Sequence, residues 1–492
     1  MLSSGGRKSA PLTIVGLIAI STLLTFAITL AYLLSPPPTP PRLSSLRTAY
    51  TPTTRTILSA SSSLGLDPWT RLSTLSDTFG SRLSGSPGLA GAIEWLSARL
   101  SSLPGVRVSS SPVQIPLWSR ISEHAALLQP RAGKIDVRAL GGSISTTGKD
   151  GEVGGEMEAD VVVVEDWDEL DRLGEAGGVE NKICVLHPAW EGYDKGYPYR
   201  SHGASRAAKW GAVAVLVRSL SPVSIGLVHV GGMRYDEGVA KIPAGSIAVE
   251  DADMLARMQE RGDPIRMVLA LNVTDHNGAL GTSANLVAEI EGRTHPEQVV
   301  LLGAHIDAWD VGTGAMDDGG GVVACWHVLQ VLSSLGLAPA RTIRVVFFTN
   351  EENGLAGGKA YANALSDADV ANHVLAIETD SGTFEPTGFS WAQGSQATLD
   401  VLSDMASLLV SKPLHIDARR VVEGETGADI SPLLERGVPT LELVADGGVY
   451  FHYHHTRADT PDKIDPVELN KCIGVLASLV FIAADSSYVI PR

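Results

Sequence analysis

The sequence has 492 residues, of which 44% are hydrophobic and 19% are charged, and this composition excludes a chain that is disordered overall or that crosses the membrane many times. Lysine and arginine number 38 against 55 aspartate and glutamate, which gives a net charge of −17. Such an acidic chain lacks the basic footprint expected of a nucleic-acid-binding protein. Its length predicts two or three domains.

The N-terminal region contains a candidate membrane span. A short tail, residues 1–11, precedes residues 12–34, which contain no charged side chain. At about 1.5 Å per residue a helix of this length reaches about 34 Å, enough to cross a hydrocarbon core of about 30 Å. We expect a transmembrane signal anchor, with a signal peptide as the alternative. Either one delivers the rest of the chain, anchored or secreted, to the secretory lumen, the cell exterior or a lysosomal or vacuolar compartment. The glycosylation sequon at Asn272 is compatible with that route.

Three further segments follow the anchor. Residues 35–65 are rich in Pro, Ser and Thr and predict a stalk. Residues 66–125 begin a globular domain with a glycine-rich turn and an amphipathic helix pattern. Residues 126–272 contain short β-type runs around a helical segment, without a visible catalytic cluster.

Residues 273–492 alternate nearly unbroken apolar runs with helical patterns. Strands that are buried on both faces and separated by helices indicate an α/β fold with a mixed, mostly parallel sheet flanked by helices. Polar groups in such folds collect at the carboxyl ends of the strands. The candidate functional residues at these positions and in the adjoining loops are His305, Asp307, Asp317, Asp318, Glu351, Glu352, Asp380, His452, His454 and His455.

Each motif has a simpler explanation when it is taken alone. A His-x-Asp sequence is often a hydrogen-bonded pair, Asn-Glu-Glu can cap a helix, and Asp-Asp-Gly-Gly-Gly can form a turn. Several carboxylates at one sheet edge would nevertheless repel one another unless cations neutralised them. Imidazoles and carboxylates together suit Zn²⁺, so the sequence indicates a two-metal hydrolytic centre.

Four segments carry a resemblance to a known family. They are GAHIDAWDVGTGAMDDGGG, FFTNEENGLAGG, IETDSGTFEPTG and HHTRADTPDKID, and they resemble the metal-site segments of the co-catalytic zinc exopeptidases. The similarity extends from about residue 70 to 485. It implies that residues 126–272 form a protease-associated domain, inserted into a catalytic domain made of residues 66–125 and 273–492.

The resemblance also implies two Zn²⁺ ions per chain. It assigns one zinc to His305, Asp380 and a bridging Asp317, and the other to Glu352, His455 and the same Asp317. A shared carboxylate of this kind holds two metals about 3.5–4 Å apart.

The family pattern gives two further acidic residues catalytic roles. Asp307 matches an aspartate that orients the first histidine. Glu351 matches the general base, which takes a proton from a metal-bridged water and later donates it to the leaving amine.

Some assignments rest on the position of a residue within its motif. Asp317 is preferred to Asp318 because the bridging aspartate opens the Asp-x-Gly-x-Gly pattern, and His455 is preferred to His454 because it precedes Thr456. Asp429 matches either a pocket residue or a helix cap. Arg457-Ala458 departs from the family pattern, so contacts with the substrate near the second zinc are not carried over.

The expected function is hydrolysis of dipeptides or small peptides by a carboxypeptidase or dipeptidase. An aminopeptidase with the same dizinc centre is the alternative, and a receptor-like protein without catalysis is a third, although no ligand is lost from the motifs. By resemblance we expect a homodimer whose partners are peptide substrates and, through the N-terminal segment, a membrane.

Overall fold

The computed structural model describes residues 41–492, and the predicted tail and membrane anchor at residues 1–34 lie outside this part. Residues 49–492 form one compact unit. The helices are α1 Pro41–Ser62, α2 Asp67–Phe79, α3 Pro87–Leu100, α4 Trp167–Glu175, α5 Tyr193–Ala208, α6 Val249–Glu260, α7 Gly320–Ser334, α8 Ala356–Ala364, α9 Asp367–Asn372, α10 Gln396–Ala406, α11 Ser431–Glu435, α12 Tyr450–Tyr453 and α13 Pro466–Asp485.

The described strands form two large sheets and one small hairpin. The strands are β1 Val106–Pro116, β2 Ser119–Gln129, β3 Gly133–Ile135, β4 Val137–Ala139, β5 Met157–Val164, β6 Ile183–Leu186, β7 Ala214–Arg218, β8 Ala244–Ile247, β9 Arg266–Thr274, β10 Leu280–Ile290, β11 His295–His305, β12 Arg341–Phe348, β13 His373–Glu378, β14 Pro386–Trp391, β15 Val410–Ser411, β16 Ile416–Asp417, β17 Arg420–Glu423 and β18 Thr440–Ala445.

The main sheet places the candidate site. Its strand order is β1-β10-β12-β11-β13-β18-β14-β17, and the consecutive strands β12, β11, β13 and β18 are parallel. The β1–β10, β10–β12 and β14–β18 pairs are antiparallel. Strand β12 and the second half of β11, residues 299–305, are almost entirely buried, because helices cover both faces of the sheet. The predicted α/β class, with a mixed sheet flanked by helices, is confirmed.

Helix α13 lies in the core of the protein, beside the main sheet. Among the described residues it is the one helix long and apolar enough to cross a membrane, but 83% of its most apolar segment is buried inside the protein. It packs against α7 and against the main sheet.

The structure differs from the predicted stalk. Helix α1 occupies most of residues 35–65, and its Ile57 and Leu58 are fully buried. Its hydroxyl side chains bond to backbone carbonyls one turn earlier, as Thr56 does to Pro52 at 3.1 Å and Ser61 does to Ile57 at 3.0 Å. Small hydroxyl residues therefore fit a packed helix here, although their abundance is typical of linkers.

A second eight-stranded sheet is built entirely from residues 119–274, which we call the inserted unit. Its order is β3-β2-β9-β5-β6-β7-β8-β4, and β5 to β8 are parallel. Strand β2 begins seven residues before the predicted boundary at residue 126. Asn272 lies half-buried in β9, where Gly154 packs against its side chain, so the sequon is part of a strand.

Candidate metal centre

One side of the centre is built on His305. This residue ends β11, and Asp380 follows the neighbouring parallel strand β13, so both side chains emerge at the same sheet edge. The Nε2 atom of His305 lies 3.0 Å from an oxygen of Asp380 and 3.0 Å from Oδ1 of Asp317. Asp317 comes from an irregular turn, Ala315–Gly319, that precedes α7.

The other side is built on His455, which follows α12. Its Nε2 atom lies 2.9 Å from Oε2 of Glu352 and 3.1 Å from Oδ2 of Asp317. Glu352 follows β12, beside β11. Asp317 therefore directs one oxygen toward the His305–Asp380 pair and the other toward the His455–Glu352 pair.

The donor set fits a pair of cations. Oδ2 of Asp317 is buried and, among the described residues, accepts no hydrogen bond in good alignment. Burial raises the pKa of Glu352 to about 7 and also raises that of Asp380. Burial alone would lower the pKa of His305, but the Asp380 and Asp317 carboxylates raise it well above its usual value. Burial therefore disfavours the ionised carboxylates of Glu352 and Asp380, and bound cations would stabilise them.

The carboxylate of Asp307 positions the loop after β12. It accepts the backbone N–H groups of Glu351 at 3.0 Å and Glu352 at 3.3 Å, and the hydroxyl of Ser84 at 3.2 Å. The Nδ1 atom of His305 lies 3.0 Å from the backbone oxygen of Asp307 and 3.9 Å from its nearest carboxylate oxygen. The contact of His305 is therefore with the main chain of Asp307, while the side chain of Asp307 bonds to Ser84 and the loop after β12.

Glu351 lies beside this cluster with its backbone held by Asp307. Burial raises its pKa well above the usual range, the imidazole of His305 opposes this effect, and the carboxylate of Asp380 adds to it. A raised pKa suits a carboxylate that must accept a proton and then return it.

The two adjacent aspartates, Asp317 and Asp318, have different contacts. The oxygens of Asp318 accept the backbone N–H groups of His305 at 3.2 Å and Gly321 at 3.0 Å, so this side chain ties the end of β11 to the start of α7. Asp317, by contrast, lies between His305 and His455.

The two adjacent histidines are stacked, with ring centroids 3.6 Å apart. The Nε2 atom of His454 lies 3.3 Å from Oδ2 of Asp317, but only for His455 does the structure show a contact with Glu352. Burial, followed by the charge of His455, lowers the pKa of His454 well below its usual value.

Asp429 caps a helix, but not the helix that follows it in the chain. Its Oδ1 atom accepts the N–H of Gly358 in the first turn of α8 at 3.1 Å. The buried carboxylate of Glu378 in turn accepts the N–H of Ile430 at 3.0 Å. Arg457, where the motif departs from the family pattern, is exposed.

Sequence reasoning missed two charged supports of the centre. Asp459 accepts the backbone N–H groups of Met316 at 2.6 Å and Asp317 at 3.2 Å, and burial raises its pKa to about 7. Arg82 is fully buried. Its guanidinium donates to the carbonyl oxygens of Ile306 at 2.7 Å, Thr313 at 2.8 Å and Gly314 at 2.9 Å.

We expect Arg82→Met to lower the free energy of unfolding by about 3–5 kcal/mol, because three carbonyls lose their donor and the buried carboxylates lose a compensating cation. Urea denaturation measures this change. Arg99→Met, which removes an exposed arginine from α3, is the control. A loss below about 1 kcal/mol for the Arg82 variant would contradict this account.

The inserted unit also contacts the centre. Nδ1 of His455 donates to the backbone oxygen of Val230 at 3.1 Å, and the N–H of Val230 donates to the backbone oxygen of His455 at 3.0 Å. Tyr193 meets the ring of His454 edge-on at 5.1 Å between centroids. No local motif in residues 126–272 signalled these contacts, since they join positions more than 200 residues apart.

Comparisons with known proteins show the family and the fold of the chain. The model of peptidase family M28 matches residues 285–480. Carboxypeptidase Q of Bos taurus is 40% identical over 422 residues, covering 86% of each chain. A solved peptidase M28 precursor from Shewanella amazonensis SB2B has a TM-score of 0.83 at 34% identity, covering 90% of this chain and 98% of that one. A zinc aminopeptidase from Bacillus subtilis shares the fold, with a TM-score of 0.63 at 18% identity over 86% of this chain and 95% of that one.

Proposed function

The chain belongs to peptidase family M28 and is a zinc metallopeptidase, and from that premise we propose that it is an exopeptidase that binds two zinc ions and hydrolyses dipeptides or small peptides. The observation that supports the pair of ions is the placement of Asp317, whose two oxygens face two separate histidine–carboxylate pairs. A single ion would leave one of these pairs uncompensated in a buried site.

We propose the same ligands that the resemblance implied. His305 and Asp380 would hold one zinc, His455 and Glu352 would hold the other, and Asp317 would offer one oxygen to each. Each zinc would thus have one imidazole and one carboxylate of its own, a set of ligands typical of this metal.

Zinc, when bound, polarises the scissile carbonyl and lowers the pKa of a nearby water. The residues of the chain supply the rest. Glu351 accepts a proton from the attacking water at its carboxylate and gives that proton to the amine as the peptide bond breaks. Asp307 holds the backbone of Glu351 and Glu352, so the base and the adjacent ligand share one anchor.

Zinc analysis of the purified full chain tests this proposal. We expect two zinc ions per chain and expect chelation to abolish hydrolysis. We also expect chelation to lower the melting temperature, because the folded state loses ions that bind it and that compensate its buried carboxylates. Readdition of zinc should restore both properties. A folded chain that hydrolyses peptides with one bound ion or none would exclude the dizinc mechanism.

We propose carboxypeptidase polarity, supported by the 40% identity to carboxypeptidase Q along most of the chain. The alternative is supported by the fold shared with a zinc aminopeptidase. Dipeptides with one blocked terminus distinguish the two. Hydrolysis of N-blocked but not C-amidated dipeptides supports a carboxypeptidase, and the reverse pattern supports an aminopeptidase.

We also propose that residues 12–34 anchor the chain with its globular part in the secretory lumen or outside the cell, and that residues 126–272 are a protease-associated domain. Protease protection in microsomes tests the orientation. The expected homodimer is tested by light scattering of the purified protein.

A further inference from the structure

A buried arginine, Arg200, contacts the loop of the inserted unit that contains Val230 and touches the metal centre. Arg200 lies on α5 and is 4% exposed. Its Nη1 atom donates to the oxygen of Val230 at 3.1 Å, and its Nη2 atom donates to the hydroxyl of Tyr193 at 2.6 Å. One guanidinium thus fixes the same carbonyl that accepts the Nδ1 proton of His455.

The packing around this arginine is tight. A Cβ atom added at Gly231 would lie 2.3 Å from Cζ of Arg200, so the loop backbone rests directly on the guanidinium. The Nε atom of Arg200 is buried without a hydrogen-bond partner, and the guanidinium lies over the rings of Tyr193 and Tyr197, 5.2 and 5.3 Å from their centroids. These ring contacts and the two hydrogen bonds hold the buried cation in place, so its donors stay aimed at Val230 and Tyr193.

The contact with Val230 decides which nitrogen of His455 is free. Because the carbonyl of Val230 can only accept, a neutral His455 would carry its proton on Nδ1, which would leave the lone pair of Nε2 for a metal. Nε2 is the atom that faces Asp317 and Glu352. The backbone of His455 has φ of +60°, an uncommon conformation for a residue with a side chain, and the bond from the N–H of Val230 supports it.

We propose that Arg200 is a positioning residue for the zinc site of His455 and Glu352. It fixes the carbonyl of Val230, which orients the imidazole and selects its tautomer. This inference rests on the proposed dizinc function. The positioning role of Arg200 is specific to one of the two sites, because Nδ1 of His305 contacts the backbone of Asp307 and not the inserted unit.

Zinc titration of the full-length apoprotein tests the inference. In Arg200→Met, which lacks donors, we expect the affinity for one of the two zinc equivalents to fall about 10–100-fold, the range typical of lost outer contacts, while the other stays unchanged. Arg200→Lys keeps the charge but cannot bond both acceptors in the fork geometry, so we expect an intermediate loss. Cobalt substitution provides an absorption signal for the altered site.

Arg206→Met is the matched control. Arg206 lies on the same helix but pairs with Asp171 at 3.0 Å, and we expect both affinities to equal those of the wild type. Circular dichroism and urea denaturation establish which variants fold. Wild-type affinity for both equivalents in folded Arg200→Met overturns the inference. If that variant does not fold, the same result in Arg200→Lys overturns it. If the wild type itself binds fewer than two ions, the proposed function fails instead.

Discussion

Replacing Glu351 by glutamine is expected to lower kcat about 10²–10⁴-fold while both zinc ions remain bound. Glutamine keeps the size of the side chain but cannot accept the proton of the attacking water. The backbone of residue 351 remains held by Asp307, so the ligand Glu352 should keep its position. Zinc analysis and steady-state kinetics on a dipeptide measure the two quantities in the same preparation.

Glu297→Gln is the control for removing one carboxylate. Glu297 lies on the same strand as His305 but is exposed, and this variant should match the wild type in both measurements. If Glu351→Gln retained full activity, another group would have to be the base. If it instead lost zinc, Glu351 would be a ligand and the proposed allotment would be wrong.

We expect Asp317→Asn and Asp318→Asn to differ sharply in zinc content and in activity, although the two residues are neighbours. An amide at position 317 bridges poorly, so we expect Asp317→Asn to bind fewer than two zinc ions and kcat/KM to fall more than about a thousandfold. In Asp318→Asn we expect two zinc ions to remain. That variant loses one hydrogen bond between β11 and α7, which should lower the free energy of unfolding by about 1–3 kcal/mol.

Each variant is the control for the other, because the type of substitution, the burial of the side chain and the surrounding loop are the same. Zinc content measured by mass spectrometry, together with denaturation curves, separates loss of metal from loss of stability. The opposite pattern, in which Asp318→Asn loses zinc and Asp317→Asn keeps it, would move the bridge to Asp318.

Three members of the ligand cluster were predictable because they lie at the carboxyl ends of neighbouring parallel strands. His305 ends β11, Glu352 and Asp380 follow β12 and β13, and these strands end at the same edge of the sheet. The resemblance added His455 and the choice of Asp317. The structure brings all five of these residues together.

The supports of the cluster were not predictable from local pattern. Arg82 contacts carbonyls more than 200 residues later in the chain, and Asp459 bonds to backbone groups more than 100 residues earlier. Such contacts follow no helical or strand period. The stalk prediction failed for a different reason, since composition does not distinguish hydroxyls that contact water from hydroxyls that bond to their own helix, as Ser61 does.

The connections of the inserted unit bear on how such a protein is assembled. The chain leaves the main sheet after Pro116 and returns at Leu280, and these two residues are direct partners across the antiparallel β1–β10 pair. A short turn between them would close the main sheet without stretching the backbone. The connections alone would therefore let the unit be removed or exchanged without breaking the main sheet. Its excision would nevertheless remove Val230, the acceptor for Nδ1 of His455. A replacement for this unit would have to present a carbonyl group to that imidazole at the same place.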